Sequence, residues 1–336
     1  MAQCGIPRID ALLAATGAAP LGPADQDTAA IGIAQDLLRG HGYSTLPDVR
    51  GPNYGRFGSL TRAAVLGFRA AQDLGADAII DGDLLSKLIQ VPAPKPIASR
   101  AFLTLVLDLA WASPLSLVAL TALFESDGAF TECNRNTDRQ GLSYGVIQWA
   151  QKPGRLHELL AAFDNGAPDV FRPLTGGAAA AAGLLAHTAK RHGGVDPSTG
   201  RTTDPAFDLI ASPWRERFAG MALAPELQKI QVSCAVSAFR STIDDLRRKT
   251  PLLRSQRGVA FLADLANQHG AAGAANIYGA CAKPRPATEA RLLEAMQGES
   301  VRRVAAQYGA SGPEAASTAA RREFFRTTPL LADAPY

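Results

Sequence analysis

The fold is decided by the stretch Phe124–Trp149, which reads FESDGAFTECNRNTDRQGLSYGVIQW. An apolar helical pattern leads into this stretch and ends at Glu125. A polar, turn-rich segment that contains Asp138 follows it. From Leu142 onward the residues alternate in a way that predicts a short β-hairpin. The stretch therefore predicts one carboxyl group at a helix end and a second in a hydrated turn, beside a small sheet.

The composition of the chain excludes several classes of protein. Its 336 residues are enough for two domains, and 47% hydrophobic with 19% charged residues indicates a globular protein. The net charge of +3 comes without a run of Lys or Arg interleaved with aromatic residues, so we expect no nucleic-acid partner. No apolar run approaches the ~20 residues that span a bilayer, so we expect no membrane span.

Helical patterns dominate the rest of the chain. Residues 1–26 are rich in Ala, Gly and Pro, and we expect them to form a loosely packed N-terminal tail. Three amphipathic patterns follow in 27–90, and a proline-rich linker occupies 91–99. Further helical patterns fill 100–336. The sequence thus predicts a mainly α protein, with a three-helix N-terminal domain and an α-rich second domain that carries one small sheet.

Glu125 and Asp138 are candidates for acid–base chemistry. A general acid must hold its proton near neutral pH, which requires a partly dry environment, and Phe130 and Trp149 are available to provide one. The matching base must stay ionised and hydrated, as Asp138 would in its polar segment, and Asp127 and Glu132 are rival candidates for this role. Each residue also has a simpler interpretation. Glu125 could be exposed or paired with Arg135, and Asp138 could serve only to form a turn.

The helical pattern of 27–90 resembles the three-helix peptidoglycan-binding module of cell-wall hydrolases. The matching residues are Leu37-Leu38, Gly42-Tyr43, Phe57-Gly58, Thr61, Ala64-Val65, Phe68 and Leu84-Leu85. The insert Ser44–Asn53 departs from the usual pattern of that module. The resemblance implies affinity for wall glycan, and a helical adaptor without sugar affinity is the alternative.

The hairpin residues 141–149 are followed by Gly154, Leu156 and the run Glu158-Leu159-Leu160. This series resembles the glycine-rich hairpin and following helix of the lysozyme-like superfamily, and within it the family 46 chitosanases. The resemblance implies three catalytic roles, which are a general acid for Glu125, a general base for Asp138 and a water-holding hydroxyl for Ser143. The segment between the two carboxylates is shorter here than in chitosanases.

Four further side chains are candidates for substrate binding. Tyr144 and Gln148 lie on the alternating hairpin, where alternate residues can face a cleft, although Gln148 could equally bond a neighbouring backbone. Trp149 stands at an aromatic position of the chitosanase pattern, and Gly145-x-x-Gln148 is typical of lysozyme-like enzymes that cut peptidoglycan. Asn267 belongs to a looser match in the C-terminal part of the chain.

Neither a metal nor a cofactor is expected, because the sequence has no His or Cys cluster with ligand spacing. We expect the four cysteines to be buried or incidental thiols. A disulfide among Cys133, Cys234 and Cys281 is the alternative.

The sequence therefore predicts a cell-wall hydrolase that cleaves β-1,4 bonds of peptidoglycan. Two alternatives stay open, a chitosanase acting on chitosan and a non-catalytic wall-binding or phage-structural protein. The resemblance implies an inverting reaction, and a lytic reaction that uses Glu125 alone is the alternative. The first ten residues lack signal-peptide features, so we expect delivery to the periplasm or exterior by a non-standard route or by lysis. A lysin and a secreted antibacterial effector both fit, and an immunity or inhibitor protein is a candidate partner.

Overall fold

The computed structural model describes residues 3–136 and 138–336. These residues are mainly helical and include one small sheet of three antiparallel strands, which confirms the predicted fold class. The chain divides into two compact units, one extending to Cys234 and the other running from Ala235 to Tyr336.

Most helices belong to the first unit. They are α1 (Pro7–Leu13), α2 (Thr28–Gly40), α3 (Ser59–Ala71), α4 (Gly82–Gln90), α5 (Ser113–Ser126), α6 (Arg155–Gly166), α7 (Pro168–Leu174), α8 (Ala178–Thr188) and α9 (Trp214–Leu223), with a π-helical turn at Phe102–Val106 and 3₁₀ turns at Arg191–Gly194 and Pro205–Phe207. The unit boundary falls within α10 (Pro225–Arg247). The second unit contains α11 (Gln256–Cys281), α12 (Glu289–Tyr308) and α13 (Pro313–Thr327).

The N-terminal helices α1–α4 surround a common hydrophobic core. Side-chain caps fix where two of them begin. Asp27 accepts a hydrogen bond of 3.0 Å from the backbone N–H of Ala30 at the start of α2, and Asp81 accepts one of 2.9 Å from Leu84 at the start of α4. The apolar stripe of each helix then faces the core, as the helical periodicity predicts.

The tail expected for residues 1–26 is in part a packed helix. α1 begins at Pro7, whose fixed φ angle suits the first turn of a helix. Ile9 is fully buried and Leu12 nearly so, and both join the core of α2–α4. The expectation of a loosely packed lead-in is therefore corrected. These apolar residues stand three positions apart, on one face of the short helix.

The proline-rich segment 91–99 is held at two points, Lys95 and Ile97. The backbone N–H of Lys95 donates to the carbonyl of Gly40, at the end of α2, over 3.0 Å. Ile97 pairs with Ala129 in an isolated antiparallel bridge just beyond α5. The segment is therefore bonded to parts of the chain on either side of it. A domain boundary at this segment remains a prediction.

The small sheet consists of β1 (Cys133–Arg135), β2 (Leu142–Tyr144) and β3 (Trp149–Ala150), in that order. Ser143 occupies the centre, opposite Asn134 on β1 and Ala150 on β3. The turn between β2 and β3 begins with Gly145, whose φ of 76° is disfavoured for other residues. A side chain there would also overlap the amide of Gln231, so the turn requires glycine.

The second unit is organised around a buried carboxylate, that of Asp264 on α11. Arg321 donates to it over 2.8 and 2.6 Å and Arg322 over 2.5 Å, both from α13. Burial alone would raise the pKa of Asp264, but the two arginine cations hold it below its usual range. This ion cluster ties α13 to α11 inside the unit.

The carboxyl group of Asp36 on α2 is also buried, but here the effect of burial on the pKa is the larger one. The hydroxyl of Tyr54 donates to its carboxyl group over 3.0 Å. Burial nevertheless raises the pKa of Asp36 to about 7, against the opposing effects of Tyr54 and the cation of Arg39. Asp36 therefore holds a proton in the folded protein at a pH where it would lose it in the unfolded chain.

We expect this proton to make the free energy of unfolding depend on pH. Because the pKa of Asp36 is about 7 when folded and ~3.9 when unfolded, its contribution is complete below pH ~4 and is lost as the pH rises through 7. Urea unfolding of Asp36→Asn should show a smaller decrease in stability between pH 4 and 7 than the wild type. The exposed control Asp77→Asn should keep the wild-type slope. Equal slopes for wild type and Asp36→Asn would contradict the prediction.

Candidate active site

Glu125 lies half-buried in the last turn of α5. The helix ends because Asp127 and Gly128 both adopt left-handed backbone angles, with φ of 50° and 78°. The hydroxyl of Ser126 lies 3.1 Å from the carbonyl of Ala122 and 3.2 Å from that of Val146 in the hairpin turn. Glu125 is thereby fixed where the helix end meets the hairpin.

A cation near Glu125 comes from Arg155, the first residue of α6. Burial lowers the pKa of Arg155, while the negative charges of Glu125 and Glu158 act in the opposite direction. The sequence offered Arg135 as a partner, and it gave no indication of Arg155. Only the fold brings the start of α6 to the end of α5.

Asp138 is exposed, and its carboxylate accepts a hydrogen bond of 3.2 Å from the backbone N–H of Gln140. This is the turn-forming role that its polar neighbours favoured. An exposed side chain in such a turn is open to solvent, and a general base that holds a water needs the same access. The preceding residue, Thr137, lies outside the described part of the chain.

Two hairpin candidates lie beneath the surface. Ser143 is 5% exposed at the centre of the sheet, and Tyr144 is fully buried. The hydroxyl of Tyr144 donates to the carbonyl of Phe218 over 3.2 Å, and its ring meets that of Phe218 edge-on at 4.9 Å. The prediction that Tyr144 contacts substrate is corrected, because its ring and its hydroxyl are both used inside the protein.

Gln148 and Trp149 also support the hairpin. The side-chain amide of Gln148 donates to the carbonyls of Gly145 over 2.9 Å and Glu132 over 3.4 Å. The backbone interpretation of Gln148 is therefore the one found in the structure. Trp149 is 4% exposed and pairs with Tyr144 across the two strands. The side-chain amide N–H of Gln148 and the ring of Trp149 are thus used within the hairpin.

Two buried glutamines also hydrogen-bond the backbone of the hairpin, and the sequence did not indicate either of them. Gln151 accepts from the backbone N–H of Leu142 over 3.1 Å and donates to the carbonyl of Gly193 over 2.8 Å. Gln231 of α10 accepts from the N–H of Val146 over 3.3 Å. No local pattern marks either residue, because each acts on backbone groups distant in sequence.

Asn267 lies on α11, half-buried, three residues before Gly270, where the helix is kinked. It belongs to the second unit, whereas the other candidates belong to the first.

Within the part of the chain that the structure describes, no group of three or more His, Cys, Asp or Glu is placed to hold a metal ion. The four cysteines are free thiols, so the alternative of a disulfide among Cys133, Cys234 and Cys281 is wrong. No helix in the ranges 3–136 and 138–336 is both long and apolar enough to cross a lipid bilayer.

The internal role of Tyr144 can be tested with Tyr144→Phe. Loss of the hydroxyl removes a buried hydrogen bond to the carbonyl of Phe218, which should lower the free energy of unfolding by about 0.5–1.5 kcal/mol. Glycan binding should be unchanged. The exposed control Tyr308→Phe should change stability by less than ~0.5 kcal/mol. Weaker glycan binding by Tyr144→Phe with unchanged stability would show that Tyr144 faces substrate after all.

No family model matches the sequence, and no curated protein gives a match. Among solved structures the chain is similar to a GH46 chitosanase of Gynuella sunshinyii in complex with chitotetraose. The two are 14% identical with a TM-score of 0.48, and the match covers 65% of this chain and 88% of that chain. At this level the similarity is a structural likeness and nothing more.

Proposed function

We propose that the protein is a glycoside hydrolase that cleaves β-1,4 bonds of an amino-sugar glycan, with peptidoglycan as its substrate. The observation that carries the proposal is the placement of Glu125. This carboxyl group is half-buried at an abrupt helix end, and its neighbour Ser126 is bonded to the hairpin turn. A positioned, partly dry carboxyl group is what proton transfer to a glycosidic oxygen requires.

In the proposed reaction, Glu125 gives its proton to the leaving oxygen as the bond from that oxygen to the anomeric carbon breaks. A water molecule adds to the anomeric carbon from the opposite face and gives its proton to Asp138. The exposure of Asp138 supports this role, because a side chain open to solvent can reach the attacking water. Ser143 would assist in placing that water. Inversion requires the two carboxyl groups to stand ~6.5–9.5 Å apart in the substrate complex.

Peptidoglycan is proposed over chitosan on two grounds. The helices α2–α4 follow the residue pattern of a peptidoglycan-binding module, and a net charge of +3 suits an anionic polymer better than a polycation. Action in the periplasm or outside the cell, by a lysin or a secreted effector, belongs to the same proposal.

A non-catalytic wall-binding protein is the second candidate. It is favoured by the use of Asp138, Tyr144 and Gln148 in internal hydrogen bonds, since each had been expected at the substrate. This candidate binds wall without cutting it.

The test is product release from purified peptidoglycan and from chitosan by the full chain and its variants. We expect Glu125→Gln to lower kcat by more than ~100-fold, because it cannot donate the proton, and Asp138→Asn to lose a similar factor. The matched control Glu226→Gln changes an exposed glutamate at the start of α10 and should keep full activity. Binding to wall sacculi should be unchanged in all three.

Each outcome has a distinct meaning. Release from chitosan but not from peptidoglycan would make the protein a chitosanase. Wall binding without turnover by the wild type would favour the second candidate. Full activity of Asp138→Asn with an inactive Glu125→Gln would support the lytic reaction and remove Asp138 from the mechanism. The anomeric form of the product distinguishes inversion from retention.

A further inference from the structure

We propose that Arg50, in the loop between α2 and α3, is a positioning residue for Glu125. This inference rests on the proposed function, because it concerns the residue assigned as the general acid. Arg50 lies within the insert Ser44–Asn53, the part of the N-terminal region that departs from the usual peptidoglycan-binding pattern. We therefore assign this insert a role in positioning the proposed general acid.

The contacts of Arg50 lie on both sides of Glu125 in the sequence. One guanidinium nitrogen, Nη1, donates to the carbonyl of Leu123 over 2.9 Å. The other, Nη2, donates to the carboxylate of Asp127 over 2.9 Å. The guanidinium carbon also lies 5.5 Å from the centre of the Phe124 ring, a cation–π contact. Three residues that bracket the proposed acid are therefore held by one side chain.

The position suits the physics of a helix end. The last carbonyls of an α-helix lack partners within the helix, and they carry partial negative charge. At the end of α5 the backbone N–H of Gly128 returns to the carbonyl of Ala122. The next carbonyl, that of Leu123, accepts a hydrogen bond from Arg50, and the positive charge of Arg50 stabilises its partial negative charge. Removing Arg50 would leave this carbonyl without that donor and loosen the turn that carries Glu125.

Arg50 is itself held in place. Asp48 accepts from its Nε over 3.1 Å and from its Nη2 over 2.6 Å, so the guanidinium is oriented by a two-point contact. Arg39 of α2 lies 3.6 Å from Asp48. The side chain of Arg50 is 31% exposed and that of Asp48 13% exposed. This series links α2 to the end of α5 through partly buried side chains.

The backbone fixes the same helix end from another direction. The N–H of Ala98 donates to the carbonyl of Gly128 over 2.7 Å, and the N–H of Phe130 donates to the carbonyl of Pro96 over 3.2 Å. Beside these backbone bonds and the hydroxyl of Ser126, the Arg50 contacts are a part of the support that a single substitution can remove. The insert is thus expected to influence chemistry through Arg50.

The experiment compares full-length Arg50→Ala, Arg50→Lys and the control Arg62→Ala, an exposed arginine of α3. We expect Arg50→Ala to lower kcat about 10- to 100-fold, because small displacements of a catalytic group cost factors of this size. KM and wall binding should stay within about twofold. Arg50→Lys keeps the positive charge but lacks the planar guanidinium group, so it should keep only part of the wild-type kcat. Arg62→Ala should match the wild type.

Amide hydrogen exchange supplies a readout that does not depend on turnover. In Arg50→Ala the amides of residues 126–130 should exchange about tenfold faster, with no change in α3 or in Arg62→Ala. If Arg50→Ala does not fold, Asp127→Asn removes the charge of one acceptor and should show a smaller loss of kcat. Unchanged exchange at 126–130 would overturn the inference.

The failure of this inference differs from the failure of the proposed function. An active wild type, an inactive Glu125→Gln and a fully active Arg50→Ala would overturn the positioning role alone. A wild type without turnover on either glycan would overturn the proposed function, and the positioning of an acid with it. A raised KM with unchanged kcat would assign Arg50 to substrate binding and would also overturn its positioning role.

Discussion

The abrupt end of α5 is the constraint on which the candidate site depends. Two consecutive left-handed residues, Asp127 and Gly128, stop the helix directly after Glu125 and Ser126. Glycine is required at 128 for a second reason, since a side chain there would come within 2.7 Å of Ile97. The helix can neither continue nor turn elsewhere without displacing the segment that packs against it. The position of Glu125 in the last turn of α5 follows from this termination.

The parts of the fold that follow from local patterns could be predicted from the sequence. The alternation from Leu142 to Trp149 indicated the hairpin, and the apolar run ahead of Glu125 indicated α5. The short helix α1 was missed because its Ala- and Gly-rich surroundings resemble a flexible tail, and the burial of Ile9 depends on packing against other helices.

The candidate site was less predictable, and the sheet explains part of the difficulty. Alternation identifies a cleft only when one face of a strand is open, and here Leu142, Ser143 and Tyr144 are all buried. Contacts between residues distant in sequence could not be predicted either. Arg155 and Gln231 reach the site through the fold, and nothing in their immediate neighbours distinguishes them from other arginines and glutamines.

The bonded proline-rich segment has an evolutionary consequence. Modular wall enzymes are commonly imagined to exchange binding domains by recombination in the linker. In this chain, Lys95 of the proline-rich segment donates a hydrogen bond to Gly40, and the segment also pairs with the residues after α5. The core of α1–α4 includes Ala101 and Leu105, which lie beyond the segment. A foreign module joined there would have to reproduce those interfaces. The N-terminal helices and the helix bearing Glu125 should therefore be inherited as one unit and diverge together.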